Sequence, residues 1–337
     1  MAFSGPLAVG AGQGSRYVVA VIGIIVSVRE KVGDRTSAFA RYGGGMRVIE
    51  RCCRGKKADQ SLNEDGLIVT SSFAAVVDGV TSKSVRRLWR PSGGVVAKNL
   101  LSNAIAALPA NTTMRQAQTI LDGRLRAQYD IAADDAALFE REPWERLQAN
   151  AVIYSARRHE AWLFGDCQIM VNGVQTPTVK RVDELLGELR SFAAQALALG
   201  DGSSRAQDDD MASVSASAAT GRAETQGTDD PARDMILPFL RLQSRFANRR
   251  GEYGYFVFDG FADPTYPIRT VPINPGDEVV LASDGYPLLR PTLAESEREL
   301  DRLRRDDPQL IHDYRTTKGF APGRESFDDR TYLRFVA

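Results

Sequence analysis

Phe73-Ala74-Ala75-Val76-Val77-Asp78-Gly79 is a run of five apolar residues followed at once by a carboxylate and a glycine. The apolar run reads as a buried strand. The carboxylate then falls at its end, and the glycine lets the backbone turn sharply and leaves a carbonyl free to bind a cation. The same arrangement recurs in Glu278-Val279-Val280-Leu281-Ala282-Ser283-Asp284-Gly285. Three further acidic clusters accompany these two: Asn63-Glu64-Asp65 just before a strand, Gly165-Asp166 inside Ala161–Val171, and Asp328-Asp329-Arg330-Thr331 just before the last strand. Strands of one sheet bring their ends together, and carboxylates gathered at one edge repel one another unless a cation neutralises them. All-oxygen ligands favour Mg2+ or Mn2+ over zinc or copper. Two such ions ~4 Å apart would acidify a bridging water and clamp a phosphoryl group for in-line attack.

Outward from this core the chain reads as α+β from Met46 on. Strands are expected at Arg47–Cys52, Leu67–Thr70, Phe73–Val77, Gly254–Phe258, Ile268–Val271, Glu278–Ala282 and Thr331–Val336, with a hairpin of Ala149–Ser155 and Ala161–Val171. Apolar spacing predicts helices over Val95–Leu108, Thr113–Ala133, Val182–Leu199, Asp234–Ala247 and Leu293–Tyr314. Residues 201–230 contain no aromatic side chain and are rich in Ser, Ala, Gly and Asp, so they read as a disordered insertion. Residues 1–45 read as an N-terminal extension. Its apolar run Tyr17–Val28 is shorter than the ~20 residues a membrane-spanning helix needs, and the charged segment after it is too long for a signal cleavage region. A β-strand, or upstream sequence preceding a start at Met46, are the remaining readings.

Composition removes several function classes. Lys plus Arg equals Asp plus Glu at 43 each, so charge makes no case for a nucleic-acid or membrane partner. Three cysteines without a CxxC pair fit neither a disulfide framework nor a zinc site, and suit the cytoplasm. The two histidines, His159 in a hairpin turn and His312 in a charged helical stretch, read as surface residues and leave a Ser-His-Asp triad without support.

In order, Asn-Glu-Asp, strand-Asp-Gly, Gly-Asp, Ala-Ser-Asp-Gly and Asp-Asp-x-Thr before a closing strand resemble the motifs of the type-2C protein serine/threonine phosphatases over residues 46–337. The resemblance implies a β-sandwich of two antiparallel sheets flanked by helices, an α-β-β-α arrangement. It also implies two Mn2+ or Mg2+ ions and a phosphorylated protein or small phosphoester as substrate. Asp78 would bridge the metals, the Gly79 carbonyl would bind one, Asp284 and Asp328 the other, and Glu64 would act close by. Asp166 would correspond to a ligand of a third, weaker metal. The sequence departs from the pattern at Gln60, where an arginine commonly grips the phosphate, and at Leu288, where a third-metal aspartate is common. After Asp78-Gly79 the run Val80-Thr81-Ser82-Lys83 suits phosphate contact through Ser82 and Lys83 or, alternatively, a helix cap, while Lys56, Lys57 or Lys83 could compensate for the missing arginine. Cys167 reads as a small buried hydrophobe. The alternative implied by the departures is an inactive pseudophosphatase acting as a binding or regulatory module.

Overall fold

The computed structural model describes residues 46–132, 137–203 and 230–337. The N-terminal extension and most of the expected insertion lie outside the described residues. In chain order the elements are β1 (Arg47–Arg54), β2 (Asp65–Val69), β3 (Phe73–Gly79), α1 (Gly93–Ala106), α2 (Met114–Ala132), α3 (Leu138–Arg141), β4 (Ala149–Ser155), β5 (Glu160–Phe164), β6 (Gln168–Val171) and β7 (Val174–Thr176). They continue with α4 (Arg181–Ser203), α5 (Pro231–Leu242), β8 (Arg269–Pro272), β9 (Glu278–Ala282), α6 (Leu293–Asp306) and β10 (Arg330–Val336).

The strands form two five-stranded antiparallel sheets, ordered β1-β10-β9-β6-β7 and β2-β3-β4-β5-β8. Alternation along β3 explains why two layers must cover it. Phe73, Ala75 and Val77 pack with Leu101, Ile105, Leu121 and Leu125 of α1 and α2, while Ala74 and Val76 pack with Val279, Leu281, Leu333 and Phe335 of the other sheet. The outer face of that second sheet, Met170, Val280 and Tyr332, is covered by Tyr286 and Leu289, with Leu293 of α6 against it. The result is the α-β-β-α sandwich expected from the sequence. A strand buried on both faces reads as a continuous apolar run, which is why Phe73–Val77 carries no alternation of polar residues.

Four local expectations change. Ala161–Val171 is two strands on different sheets, broken at Gly165-Asp166. Gly165 has φ 96° and a side chain there would strike Asn150, so the chain can switch sheets only at a glycine. Residues 254–258 make only isolated bridges, Ala247 to Tyr255 and Ala149 to Phe258. The last helix stops at Asp306 because Pro308 follows one residue beyond its cap and disfavours helical backbone at Asp307. Finally, α4 runs to Ser203 and Asp230 caps α5, so both ends of the expected insertion belong to helices.

Candidate active site

Because side chains alternate across each strand, the face that packs apolar residues between the sheets continues as polar residues at one end of the sandwich. On β2 and β3 the inward series Leu67 and Val76 leads to Asp65 and Asp78, which are cross-strand partners. On β9 and β10 the inward series leads to Ser283 and Thr331, and Ser283 Oγ donates to Asp65 Oδ2 at 2.6 Å. Asp284 and Asp328 follow and precede these positions. Gly79 stays within β3, and what forbids a side chain there is the first turn of α1: an added Cβ would lie 2.2 Å from the Gly94 carbonyl oxygen. The sharp turn expected of it is not its role.

The acidic groups fall into three sets with different surroundings. At one side, Lys56 Nζ lies 3.1 Å from each of Glu64, Asp328 and Asp329, and Lys318 pairs with the second oxygen of Asp328. Burial would raise the Asp328 pKa, but Lys318 and Lys56 outweigh it and hold that carboxyl well below its ordinary value. Burial likewise opposes the Lys56 charge, and Asp328, Glu64 and Asp329 hold its pKa well above the ordinary lysine value. At the far side, Lys180 pairs with Asp166 at 2.7 Å. Between them lie Asp78 and Asp284, within hydrogen-bond reach of each other, and among the described residues neither has a lysine or arginine at ion-pair distance. Burial raises the Asp78 pKa well above the usual carboxylate range, and Asp284, Asp65 and Asp166 add to it. Burial, then Asp328 and Asp166, raise Asp284 to about 7.

These groups line a cleft of about 600 Å³ together with Lys83, Arg233 and Lys318. Burial first, then the neighbouring charges of Arg233 and Lys318, pull the Lys83 pKa down to about 8. The cleft therefore holds Asp78 and Asp284 without an ion-pair partner among the described residues, and also three neighbouring cations, of which Lys318 is paired with Asp328.

The central pair fits a hard divalent cation. Two carboxyls within hydrogen-bond reach must share a proton or a cation, and Asp166 Oδ1, beside them in the cleft, is buried with no hydrogen-bond partner. Among the described residues no three carboxylate, thiol or imidazole groups already close on one point as a metal cage. The protein thus offers a partial shell of the kind Mg2+ accepts, since that ion keeps several of its waters. The Asp328 side does not fit in the same way, because its carboxylates already hold two ammonium groups.

Asp78, Gly79, Asp166, Asp284, Asp328 and Lys83 thus line one cleft. Glu64 does not open onto it. Its carboxylate accepts from Ser92 Oγ at 2.7 Å, Thr81 Oγ1 at 2.7 Å and Lys56 Nζ at 3.1 Å, which ties β2 to the start of α1. Ser82 is exposed and faces a separate small hollow. Gln60 braces the loop before β2 through Gly55 N at 2.8 Å and Lys57 O at 2.7 Å, and does not reach the cleft. Leu288 packs in an apolar cluster with Leu300, Leu303 and Phe327. Cys167 is buried in the core. His159 sits in the β4–β5 turn, as read, whereas His312 lies beyond α6 and lines the cleft. Sequence reasoning missed Lys180, Lys318 and Arg233. Only the presence of two adjacent acids at 328–329, which demand a cation, hinted at any of them.

No family model and no curated protein matches the chain. Among solved structures it is similar to the serine/threonine phosphatase PstP/Ppp of Mycobacterium tuberculosis, at 15% identity and TM-score 0.40, over 86% of this chain and 98% of that one. It is similar also to PppA of Pseudomonas aeruginosa, described as a key regulatory component of the T6SS, at 14% identity and TM-score 0.40, over 87% and 97%. A third similar structure is the photosystem II phosphatase PBCP, at 10% identity and TM-score 0.43, over 87% and 99%. Among the described residues no helix is long and apolar enough to cross a membrane.

Proposed function

We propose that the chain is a metal-dependent phosphomonoester hydrolase acting on phosphoserine or phosphothreonine in a protein, or on a small phosphoester. The observation that carries this reading is that Asp78 and Asp284, with no lysine or arginine at ion-pair distance among the described residues, line one cleft with Lys83, Arg233 and Lys318. Asp78 and Asp284, with the Gly79 carbonyl and the partnerless oxygen of Asp166 nearby, are the groups that hold Mn2+ or Mg2+. A divalent ion held there supplies Lewis-acid activation of a water and a phosphoryl oxygen.

The chain's own residues do the rest. Lys83, Arg233 and Lys318 offset the negative charge of the phosphate and orient it toward the aspartates. Arg233 is itself anchored, since its guanidinium donates to the Thr317 carbonyl, so the cation arrives positioned. Glu64 acts on structure, holding the start of α1 against β2. The test is hydrolysis of an aryl phosphate by the full chain with Mn2+, Mg2+ or a chelator, followed by a phosphothreonine peptide. Turnover that requires the ion supports the reading. Turnover that survives full chelation overturns it, and Mn2+ binding without any turnover supports the regulatory module instead.

A further inference from the structure

We infer that Lys56 is a built-in cation standing in for one of the two divalent ions expected from the sequence, so that the chain binds a single divalent ion, between Asp78 and Asp284. This rests on the metal-dependent reading above and concerns only the number and place of the ions.

Lys56 is built into the site at both its backbone and its side chain. Its amide donates to Asp329 Oδ1 at 2.7 Å, and its carbonyl accepts from Glu325 N at 3.0 Å. Its ammonium sits 3.1 Å from Glu64 Oε2, Asp328 Oδ1 and Asp329 Oδ2, and 3.2 Å from Thr81 Oγ1. The side chain is 9% exposed, so this is no surface lysine resting on the acids. The carboxylates are also committed elsewhere in ways that fix their orientation. Asp329 Oδ2 accepts from Glu64 N at 3.2 Å, Asp328 Oδ1 from Asp329 N at 3.0 Å, and Glu64 Oε1 from Ser92 Oγ at 2.7 Å.

A divalent ion of this class needs its oxygens at 2.0–2.1 Å in near-octahedral array. The three acids here are spread around an ammonium at hydrogen-bond distances, and Lys318 takes the remaining oxygen of Asp328. For an ion to bind among Glu64, Asp328 and Asp329, Lys56 would have to leave. Lys56 would then abandon all four acceptors in a buried position, a displacement that costs what breaking a buried ion pair costs. The Asp78–Asp284 pair has no such competitor. Lysine thus does for the Asp328 side what a second ion would do, supplying charge without an exchangeable ligand.

The experiment is Mn2+ titration of the full chain by calorimetry, with electron paramagnetic resonance at saturation. Wild type is expected to take one Mn2+ per chain with the spectrum of an isolated ion. Lys56→Met, which frees Glu64, Asp328 and Asp329, is expected to take two, with a spin-coupled spectrum and a larger Mn2+-induced rise in melting temperature than wild type shows. Lys318→Met with Lys56 intact is expected to stay at one. Two coupled ions in wild type overturn the inference while leaving the phosphatase reading standing, and this measurement needs no variant. One ion in a folded Lys56→Met, confirmed in Lys56→Gln, overturns it as well. No Mn2+ binding in wild type overturns the metal-dependent reading itself, and the inference with it.

Discussion

Asp78-Gly79 and Asp259-Gly260 are the same dipeptide, yet their surroundings are opposite: Asp78 lines the cleft and Asp259 is enclosed in the protein. Asp259 is fully buried and answered on every side. Arg146 Nη1 lies 2.9 Å from Oδ2, while Asn248 Nδ2 at 2.8 Å and Phe261 N at 2.9 Å donate to Oδ1. Burial raises its pKa and the Arg146 guanidinium works against that rise. Asp78 receives no such answer: burial and four neighbouring aspartates all push the same way. That contrast is what supports the proposal of a cation site at Asp78 and not at Asp259. The motif text does not distinguish the two, and the partners do.

The largest expected effect breaks that comparison at Asp78. Asp78→Asn keeps a coordinating oxygen but removes the charge that attracts a cation, so Mn2+ affinity measured by calorimetry should collapse. Aryl phosphate turnover should fall by ~10³-fold or more, in line with the several kcal/mol a catalytic metal supplies. Asp259→Asn should leave Mn2+ affinity at the wild-type value. Equal affinity in all three proteins removes the distinction between the two aspartates.

Stability should show the reverse ranking. Asp259→Ala leaves the Arg146 guanidinium, 12% exposed, without its partner. Urea denaturation should then show a loss of about 3–5 kcal/mol, the usual result of removing one member of a buried pair. In chelated protein Asp78→Ala should cost little or be stabilising, because it relieves repulsion with Asp284. A loss at Asp78 as large as that at Asp259 would mean that both are structural.

How much of this could be read in the sequence follows from the same contrast. The strand run Phe73–Val77 and the two Asp-Gly strand ends at 78 and 284 were legible because apolar pattern carries them, whereas the two-sheet sandwich was implied only by the resemblance of the ordered motifs to a known family. The sheet switch at Gly165 was not legible, since apolar residues resume at Cys167 and Ile169 after the short Gly165-Asp166 interruption, and a positive φ at Gly165 does not show in a sequence. The helix end at Asp306 was overrun for a similar reason: charged residues persist past it, and Pro308 is the true signal. Least legible were the cations. Lys56, Lys180 and Lys318 reach their acids from loops through long flexible stems, with no spacing rule. Lys56 in particular was a candidate to replace the arginine missing at Gln60, whereas the fold turns it onto Glu64, Asp328 and Asp329.

A smaller effect concerns acid. The carboxyl of Asp284 sits at about 7 in the absence of a divalent ion, above the 3.8 of an unperturbed aspartate. The folded chain therefore holds this proton more tightly than the unfolded chain does, so the contribution to stability is greatest below pH ~4 and is lost as pH rises toward ~7. Melting temperatures of chelated protein, with Asp284→Asn as reference, should show that decline between those values. Saturating Mn2+ should abolish it, since the ion takes the proton's place. An unchanged slope in Asp284→Asn would place the titrating group elsewhere.

The smallest expected effect falls on Lys83 and separates cations that serve substrate from those that serve the fold. Lys56 and Lys180 are each matched to carboxylates, whereas Lys83 stands among like charges that, after burial, keep its pKa near 8. A group held that way is charged below pH ~8 and neutral above it, and a bound phosphate would favour the charged form. Turnover per KM should therefore fall as pH rises through ~8. Lys83→Met should lose that limb and raise KM by roughly 10-fold, the scale of one charge-assisted hydrogen bond, with kcat, Mn2+ affinity and melting temperature close to wild type. Lys83→Arg should restore KM at high pH, because a guanidinium stays charged throughout that range. If the limb near pH 8 persists in Lys83→Met, the phosphate is held by Arg233 and Lys318 without Lys83. If melting temperature falls instead of KM rising, Lys83 belongs with the lysines that hold the fold.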